Sequence, residues 1–260
     1  GKGTRLALPY PKEMHMVGTH TALIDLSMEH MRPYADKIKA VVMIIEPDKE
    51  QLVKYMGKWR EHFRIHFCFF GAEFSSYVTE KRELNTDRDA DNRHYEWAGS
   101  ILSAELLFGE RNLVLLPDSR LVAPPESPLV PSALAALEKS SIVFGYMNET
   151  REERLRVLGA LKVEADSSIS AFCDKPNDNL ERFNAFWGCF GFKQKAARSL
   201  LNLMMKSIAR EPVDLQSLHQ SVGSFPLLSY FDLGTWRNLA DNAPDMRQED
   251  PRKCPVIPID

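Results

Sequence analysis

The sequence predicts an α/β fold with a mostly parallel central sheet flanked by helices. Strand-like and helix-like segments alternate over the first 150 residues, which is the pattern of a sheet covered by helices. The strand-like segments are short continuous apolar runs, such as Val41–Ile45 and Leu113–Leu116, as expected for strands buried on both faces. Ligands of such sheets bind beyond the carboxyl ends of the strands, so residues that follow strands are the first candidates for chemistry.

The apolar periodicity places the individual elements along the chain. An amphipathic helix is predicted over 22–32, and Asp48 can cap a second helix that runs to about Trp59. The densely charged stretch 80–93 is predicted to be a solvated loop, and 196–209 shows clear helical spacing. The other predicted elements are a strand at 65–70, a helix at 97–108, a strand at 113–117, a helix at 132–139, a strand at 141–147, and β-like segments near 160–175 and 184–192.

Length and composition limit the class of protein. The chain has 260 residues, and its 33 basic and 36 acidic residues nearly cancel, which argues against a general nucleic-acid binder. No apolar run approaches the ~20 residues that span a bilayer, so no membrane partner is predicted. The four cysteines form no C-x-x-C pair, and a reducing cytoplasm is the expected compartment. Residues 1–243 are predicted to form one domain and 244–260 a C-terminal surface tail.

The first residues of the chain have a pattern suited to phosphate. Gly1 and Gly3 allow backbone N–H groups to approach an anion closely. Arg5 can hold phosphate oxygens through its planar guanidinium, and Lys12 adds a mobile positive charge. A Gly-x-Gly taken by itself is more often a glycine turn beside solvated cations, so this pattern needs support from elsewhere in the chain.

That support comes from several motifs that follow one another in a fixed order along 1–243. They are Gly1–Lys12, Thr21–Asp25, Leu113–Asp118, Cys173–Pro176, Asn184–Phe192 and Phe231–Thr235. Together they resemble the motifs of the sugar-nucleotide pyrophosphorylases and related nucleotidyltransferases. The resemblance implies a Rossmann-like, GT-A-like fold of the nucleotide-diphospho-sugar transferase type. It also implies an enzyme that transfers NMP from an NTP to a phosphorylated small molecule, such as a sugar 1-phosphate, and releases pyrophosphate.

The resemblance also implies roles for individual residues. Arg5 and Lys12 would hold the leaving pyrophosphate, and Lys175 would neutralise the phosphate of the acceptor. Asp118 and Asp232 would hold Mg²⁺, which prefers oxygen ligands, although each aspartate alone could equally be a turn or cap residue. The implied nucleotide-binding residues are Gly1, Gly3, Thr4, Ala98 and Gly99. The implied substrate-binding residues are Asp174, Lys175 and Gly188.

The sequence departs from the family pattern at several points. The family has a buried strand before the glycine loop, so either a strand precedes Gly1 in a longer protein or the fold begins differently. Asp174 replaces the usual glutamate. Trp187 stands where a small residue is common, and it could narrow the pocket so that the acceptor differs from the common hexose phosphates. The short spacing from Leu6 to Pro11 is more similar to N-acetylglucosamine-1-phosphate uridylyltransferases and to cytidylyltransferases of polyol or amino-alcohol phosphates.

Two other functions remain open at the level of sequence. A GT-A glycosyltransferase usually carries Asp-x-Asp, and Asp118-Ser119-Arg120 lacks the second carboxylate. A catalytically silent, nucleotidyltransferase-like regulatory subunit would fit the departures at 174 and 187, but the retained charged residues count against it. The expected partners are an NTP and a phosphorylated small-molecule acceptor, with no nucleic acid. Many relatives self-associate, so a homo-oligomer is compatible with the resemblance.

Overall fold

The structure is a computed structural model that describes Leu6 and residues 8–69, 96–206 and 213–248. The strands in these ranges are β1 (Val41–Ile45), β2 (Ile65–Phe69), β3 (Arg111–Val114), β4 (Ser119–Val122), β5 (Ile142–Asn148), β6 (Gly159–Val163), β7 (Ile169–Asp174), β8 (Ala185–Lys193), β9 (Val213–Asp214), β10 (Val222–Pro226) and β11 (Ser229–Asp232). The α-helices are α1 (Leu23–Met31), α2 (Glu50–Tyr55), α3 (Glu96–Ser103), α4 (Leu129–Lys139), α5 (Glu152–Leu155), α6 (Gln194–Lys206) and α7 (Trp236–Gln248). None of these helices is long and apolar enough to cross a membrane.

The largest sheet of the described residues is mixed rather than mostly parallel. Its strand order is β10-β5-β8-β6-β7-β9, and β3 also pairs with β8. Within the described pairings, only β1–β2 and β5–β10 are parallel, so the predicted strand directions are wrong. Short connections explain the difference: residues 164–168 alone join β6 to β7, whereas a parallel crossover needs about a dozen residues or more.

Helices cover both faces of this sheet, as predicted for an α/β fold. On one face, α3 and α6 pack against large aromatic side chains of the sheet, with Leu200 and Leu201 of α6 fully buried. On the other face, α4 packs through Leu129, Ala133 and Leu137. These residues recur at intervals of three or four, so each helix turns one apolar stripe to the sheet. The α/β class with helices flanking a central sheet is therefore confirmed.

The middle of the sheet is formed by β8, whose residues are buried from Ala185 to Phe192. Successive side chains point to opposite faces, and Cys189 lies on the α4 face, packed over Gly145 of β5 and beside Phe225 of β10. Cys189 is fully buried. The pairing of β5 with β8 slips by one residue, because Gly145 pairs with Cys189 while Tyr146 pairs with Trp187. Gly188 is thus the extra residue of a β-bulge.

A second packing unit forms around β1, β2, α1 and α2. Its centre is the buried carboxylate of Asp25, which accepts hydrogen bonds from the Ala22 backbone N–H (2.8 Å), the Trp59 indole N–H (2.8 Å) and the Tyr55 hydroxyl (2.5 Å). Lys58 Nζ lies 2.6 Å from the same carboxylate. A buried carboxylate is tolerated here because hydrogen bonds and a cation satisfy it. Asp25 therefore fixes α1 against α2 and against the turn that follows α2.

Most predicted elements are present, with shifted ends. The strand Val41–Ile45 is confirmed at both ends, and the β-like segment 160–175 is the antiparallel hairpin of β6 and β7. The helix predicted at 132–139 begins earlier, at Leu129. The C-terminal surface tail predicted over 244–260 stays a prediction, and the backbone of α7 continues into it as far as Gln248. The charged loop 80–93 lies outside the described residues.

Candidate active site

Two strands share one edge of β8 and separate there. One edge of β8 is paired with β5 along residues 185–192. Both β3 and β6 therefore lie on the opposite edge of β8. β3 pairs with 190–193 and β6 with 185–186, so the end of β3 and the start of β6 meet beside residues 187–189. The end of one strand then lies beside the start of another at the edge of the sheet, and α/β sheets bind ligands beyond the ends of their strands. We call this place the β3–β6 crevice.

An ion pair lies on the β3 side of the crevice. Asp118 follows β3, and its Oδ2 is 2.5 Å from Lys12 Nζ. The two side chains are only 19% and 11% exposed, so the pair is largely shielded from water. The structure therefore brings together a predicted metal ligand and a predicted phosphate-binding lysine that are 106 positions apart in the sequence.

The charge of Asp118 is maintained in spite of its surroundings. Burial by itself would raise the pKa of this carboxyl group, but the charge of Lys12 and its hydrogen bond outweigh burial and hold the pKa of Asp118 below its ordinary value. The carboxyl group is consequently ionised at neutral pH, and the ionised form is the one that binds a metal ion or pairs with a cationic side chain.

The second predicted carboxylate lies on the strand next to Asp118. β11 pairs with β4 in antiparallel register, with Asp232 opposite Ser119, and the Leu233 N–H donates to the Asp118 carbonyl at 2.9 Å. Oδ1 of Asp232 accepts the N–H of Gly234 at 2.9 Å. This turn contact orients the carboxylate just before α7, so Asp118 and Asp232 occupy neighbouring backbone positions at one end of the β4–β11 pair.

Two adjacent aspartates suit a magnesium ion that is completed by substrate phosphates. Mg²⁺ takes oxygen ligands and is commonly held by one or two carboxylates together with phosphate oxygens. Asp118 is ionised, and Asp232 is one residue pair away across β4 and β11. No group of three or more His, Cys, Asp or Glu side chains that could hold a metal occurs in the described ranges, so a metal carried by protein ligands alone is not indicated there.

The residues predicted to bind the acceptor lie on the β6 side of the crevice. Asp174 ends β7 and pairs with Gly159, the first residue of β6. Lys175 follows with a positive φ of 53°, and its N–H donates to the Leu158 carbonyl at 3.1 Å. The charged turn after β7 is thus tied to the start of β6. Asp174 is only 6% exposed, which places its carboxylate beneath the surface rather than in an open turn.

The start of β8 forms the floor between these two sides. At Gly188 a Cβ atom would lie 2.8 Å from Leu121 Cδ2 and 3.3 Å from Tyr230 Cδ2. The absent side chain therefore lets β4, which follows Asp118, and β11, which ends with Asp232, pack closely on the sheet. A direct contact between Gly188 and substrate stays a prediction. Trp187 points to the opposite face, where it is 8% exposed.

The predicted base-binding residues lie in the first turn of α3. Ala98 is fully buried and belongs to the same packed cluster as Trp187, so this turn lies on the Trp187 face of the sheet. Gly99 follows it in α3. Their contact with a nucleotide base stays a prediction. The predicted phosphate-binding residues Gly1, Gly3, Thr4 and Arg5 lie outside the described residues.

One residue of the crevice was missed by the sequence reasoning. Gly159 lies between Asp174 and Trp187 in the sheet, but no motif includes it. A glycine at the start of a strand-like run, directly before apolar residues, is the only signal that the sequence offers for a close approach at this position.

Solved structures of similar fold cover nearly the whole chain. A UTP-bound UGPase from Acinetobacter baumannii matches with a TM-score of 0.66 and 15% identity over 94% of this chain and 90% of its own. A UDP-glucose pyrophosphorylase complexed with UDP-glucose matches with a TM-score of 0.66 and 15% identity over 95% of both chains. A protein from Bacillus anthracis described as a candidate glucose-1-phosphate thymidylyltransferase, in complex with a sucrose, gives a TM-score of 0.68 and 14% identity over 96% and 93%.

Identities this low establish the shared fold only, and no curated protein matches the sequence significantly. The family is established by a different comparison, which covers the crevice and the motifs on both of its sides. The model of the nucleotidyl transferase family matches residues 1–249, and the chain belongs to this family.

Proposed function

We propose that the protein transfers a nucleoside monophosphate from an NTP to a phosphorylated small molecule in the biosynthesis of sugar nucleotides or related activated compounds. The observation that carries this proposal is the pairing of Lys12 with Asp118 after β3, beside Asp232. Asp174 and Lys175 lie at the end of β7, next to the start of β6. Two solved proteins of similar fold, a UTP-bound UGPase and a UDP-glucose pyrophosphorylase complexed with UDP-glucose, support a nucleotide donor and a sugar-phosphate-like acceptor. We propose the cytoplasm as the compartment, which agrees with the three free cysteines of the described residues.

The reaction joins two anions, so the work of the protein is charge neutralisation and alignment. An oxygen of the acceptor phosphate forms a bond to the α-phosphorus of the NTP, and the bond from that phosphorus to the β-phosphate oxygen breaks. We assign Lys175 to the acceptor phosphate, with Asp174 on the acceptor hydroxyl groups. Lys12 and Arg5 are assigned to the departing pyrophosphate, and the first turn of α3 at Ala98 and Gly99 to the base.

Asp118 and Asp232 are the residues that would hold Mg²⁺. When bound, this ion supplies positive charge to the phosphates at the reacting centre. Lys12 already neutralises Asp118 in the structure, with a separation of 2.5 Å. Lys12 therefore lies at the site where the triphosphate is proposed to bind, and Asp118 keeps that lysine oriented.

The proposal is tested by incubating the protein and Mg²⁺ with each common NTP and a panel of phosphorylated acceptors, and by measuring pyrophosphate. At least one pair should release pyrophosphate, and chelation of the metal should stop the release. Asp118→Asn should lower kcat by about 10²–10³, the usual loss when one electrostatic anchor of a transition state is removed. A folded wild-type protein that releases no pyrophosphate with any pair would overturn the proposal.

A matched control separates chemistry from stability. Asp118→Asn leaves Lys12 without its carboxylate, so the variant is expected to be less stable as well as slower. Glu13→Gln breaks a comparable buried ion pair, because Glu13 Oε1 lies 2.8 Å from Lys49 Nζ and the side chains are 6% and 10% exposed. This control should lose stability but keep kcat. An equal loss of kcat in both variants would contradict the role of Asp118.

A further inference from the structure

The surface beside the proposed acceptor groups is covered by Trp187. Continuing the register of Ala160 with Phe186 by one residue pairs Gly159 with Trp187, and Gly159 also pairs with Asp174 on its other side. Asp174, Gly159 and Trp187 therefore form a row across three neighbouring strands. Residues directly opposite one another point to the same face of a sheet, so all three face the same space.

The indole lies directly over Gly159. A Cβ atom built on Gly159 would be only 1.8 Å from Trp187 Nε1 and 2.5 Å from Trp187 Cδ1. No other residue type could occupy position 159 while the tryptophan keeps this position. Gly159 and Trp187 are thus a matched pair, in which the absence of one side chain makes room for the other.

The tryptophan is held firmly in this position. Its ring packs edge-to-face on Phe190, with ring centres 5.7 Å apart, and lies 6.4 Å from the ring of Phe172. The side chain is almost completely buried. Displacing it would require these aromatic neighbours to repack, which close-packed interiors resist. The indole is therefore a fixed wall.

This wall occupies space that a large acceptor would need. Neighbouring strands lie about 4.8 Å apart, so Asp174 and Trp187 are separated by only two such spacings, with the indole covering Gly159 between them. An indole is larger than a pyranose ring. An acceptor held by Asp174 and Lys175 therefore cannot place a sugar ring over Gly159.

We propose that Trp187 determines the size of the acceptor, and that the acceptor is an open-chain phosphorylated alcohol, such as a polyol or amino-alcohol phosphate, rather than a hexose phosphate. This inference rests on the proposed function and narrows its substrate class. Trp187 acts as a specificity-determining residue: it excludes larger acceptors by occupying their volume, and it takes no part in bond making or breaking.

The test compares acceptors of increasing size in the pyrophosphate assay. Short open-chain alcohol phosphates and hexose 1-phosphates are each given to the wild-type protein with every NTP. The expected kcat/KM for hexose 1-phosphates is lower by about 10²-fold or more, because steric exclusion in a rigid pocket discriminates at least as strongly as a missing methylene. A wild-type protein that uses hexose 1-phosphates within about tenfold of the best short acceptor would overturn the inference but leave the proposed function intact.

Substitution of Trp187 provides the second part of the test. Trp187→Ala should shift the ratio of kcat/KM values toward hexose 1-phosphates by about tenfold or more, and Trp187→Leu, which keeps apolar packing, should shift it part of the way. Either variant suffices if the other does not fold. Trp59→Leu removes an equally buried indole in the packing unit around Asp25 and should leave the ratio unchanged. If a folded Trp187 variant shows an unchanged ratio of kcat/KM values, the inference is overturned. If the wild-type protein releases no pyrophosphate with any acceptor, both the proposed function and the inference are overturned.

Discussion

Lys175 combines two properties that are seldom found in one residue. It carries the charge assigned to the acceptor phosphate, and its φ of 53° lies in the left-handed region, which costs a residue with a Cβ atom about 1–2 kcal/mol. Strain of this kind persists where surrounding contacts impose it, and here the Lys175 N–H is bound to the Leu158 carbonyl. The backbone of Lys175 is thus fixed by its neighbours.

Two substitutions at this position separate charge from strain. Lys175→Gly should raise the free energy of unfolding by up to about 1 kcal/mol, because glycine adopts positive φ freely, whereas Lys175→Ala should leave it nearly unchanged. Both variants should raise the KM of the acceptor by about 10-fold or more and leave the KM of the NTP unchanged, since the lost charge is the one proposed to neutralise the acceptor phosphate. Urea denaturation and steady-state kinetics provide the two readouts.

Ser167→Gly is the matched control for this pair. Ser167 also has a positive φ, of 66°, but it lies in the turn between β6 and β7, at the other end of these strands from Gly159 and Asp174. The control should gain stability without a kinetic change. If Lys175→Gly raised the KM of the NTP instead, Lys175 would belong to the nucleotide side of the crevice.

At the scale of elements, the corner between β5 and α5 is held by one buried carboxylate. Glu149 is 7% exposed and accepts hydrogen bonds from Arg151 Nε at 2.9 Å and Arg151 Nη2 at 2.8 Å. Arg154 Nε adds a contact at 3.2 Å. The hydrogen bonds from Arg151 are the main cause that lowers the pKa of Glu149 to about 2, although burial opposes them. This corner therefore depends on an ionised Glu149.

The lowered pKa predicts how the stability of this corner depends on pH. Because the pKa in the folded state lies below its ordinary value of 4.5, the contribution is present above pH 4.5 and is lost as the pH falls toward about 2. Glu149→Gln should lower the free energy of unfolding at pH 7 by about 1–3 kcal/mol. The difference from the wild-type protein should shrink between about pH 4.5 and pH 2 in urea titrations.

The exposed pair of Glu105 with Arg198 serves as the comparison. Its guanidinium and carboxylate are 2.6 Å apart, but Arg198 is 71% exposed, so Glu105→Gln should change the free energy of unfolding much less than Glu149→Gln does. Two outcomes would contradict the role of ionised Glu149 in stability. One is an equal loss of unfolding free energy in both variants, and the other is a difference between Glu149→Gln and the wild-type protein that stays constant from pH 4.5 to pH 2.

Elements with a clear hydrophobic pattern could be predicted from the sequence. The uninterrupted apolar run Val41–Ile45 is the strand β1, since nothing in it competes with an extended conformation. The start of α4 at Leu129 was not predictable from the sequence. Pro131 indicates a loop by composition, but proline is tolerated in the first turn of a helix. The continuation of α7 through Pro244 was missed because a proline in the interior of a helix normally kinks or ends it.

At the scale of the whole molecule, the pairing of strands was beyond the reach of local pattern. Buried antiparallel and buried parallel strands have the same continuous apolar character, so β8 could not be distinguished from a parallel strand. For the site, the resemblance predicts roles for Lys12, Asp118, Asp174, Lys175 and Asp232, and these roles stay predictions. It could not show that Lys12 binds Asp118 or that Trp187 covers Gly159, because these contacts depend on register and on side-chain direction.

The burial of Cys189 over Gly145 makes this thiol a reporter of how often the entire sheet opens. Burial raises its pKa to about 12, and since the thiolate is the reactive form, Cys189 should resist alkylation in the native protein. The partly exposed Cys68 should react much faster and supplies an internal reference. An NTP with Mg²⁺ at 100 times its Kd should slow the labelling of Cys189 by about 10²-fold, because binding draws molecules away from the open state. Mass spectrometry of each cysteine peptide measures both rates, and equal rates for the two thiols would contradict the protection of Cys189 by the sheet.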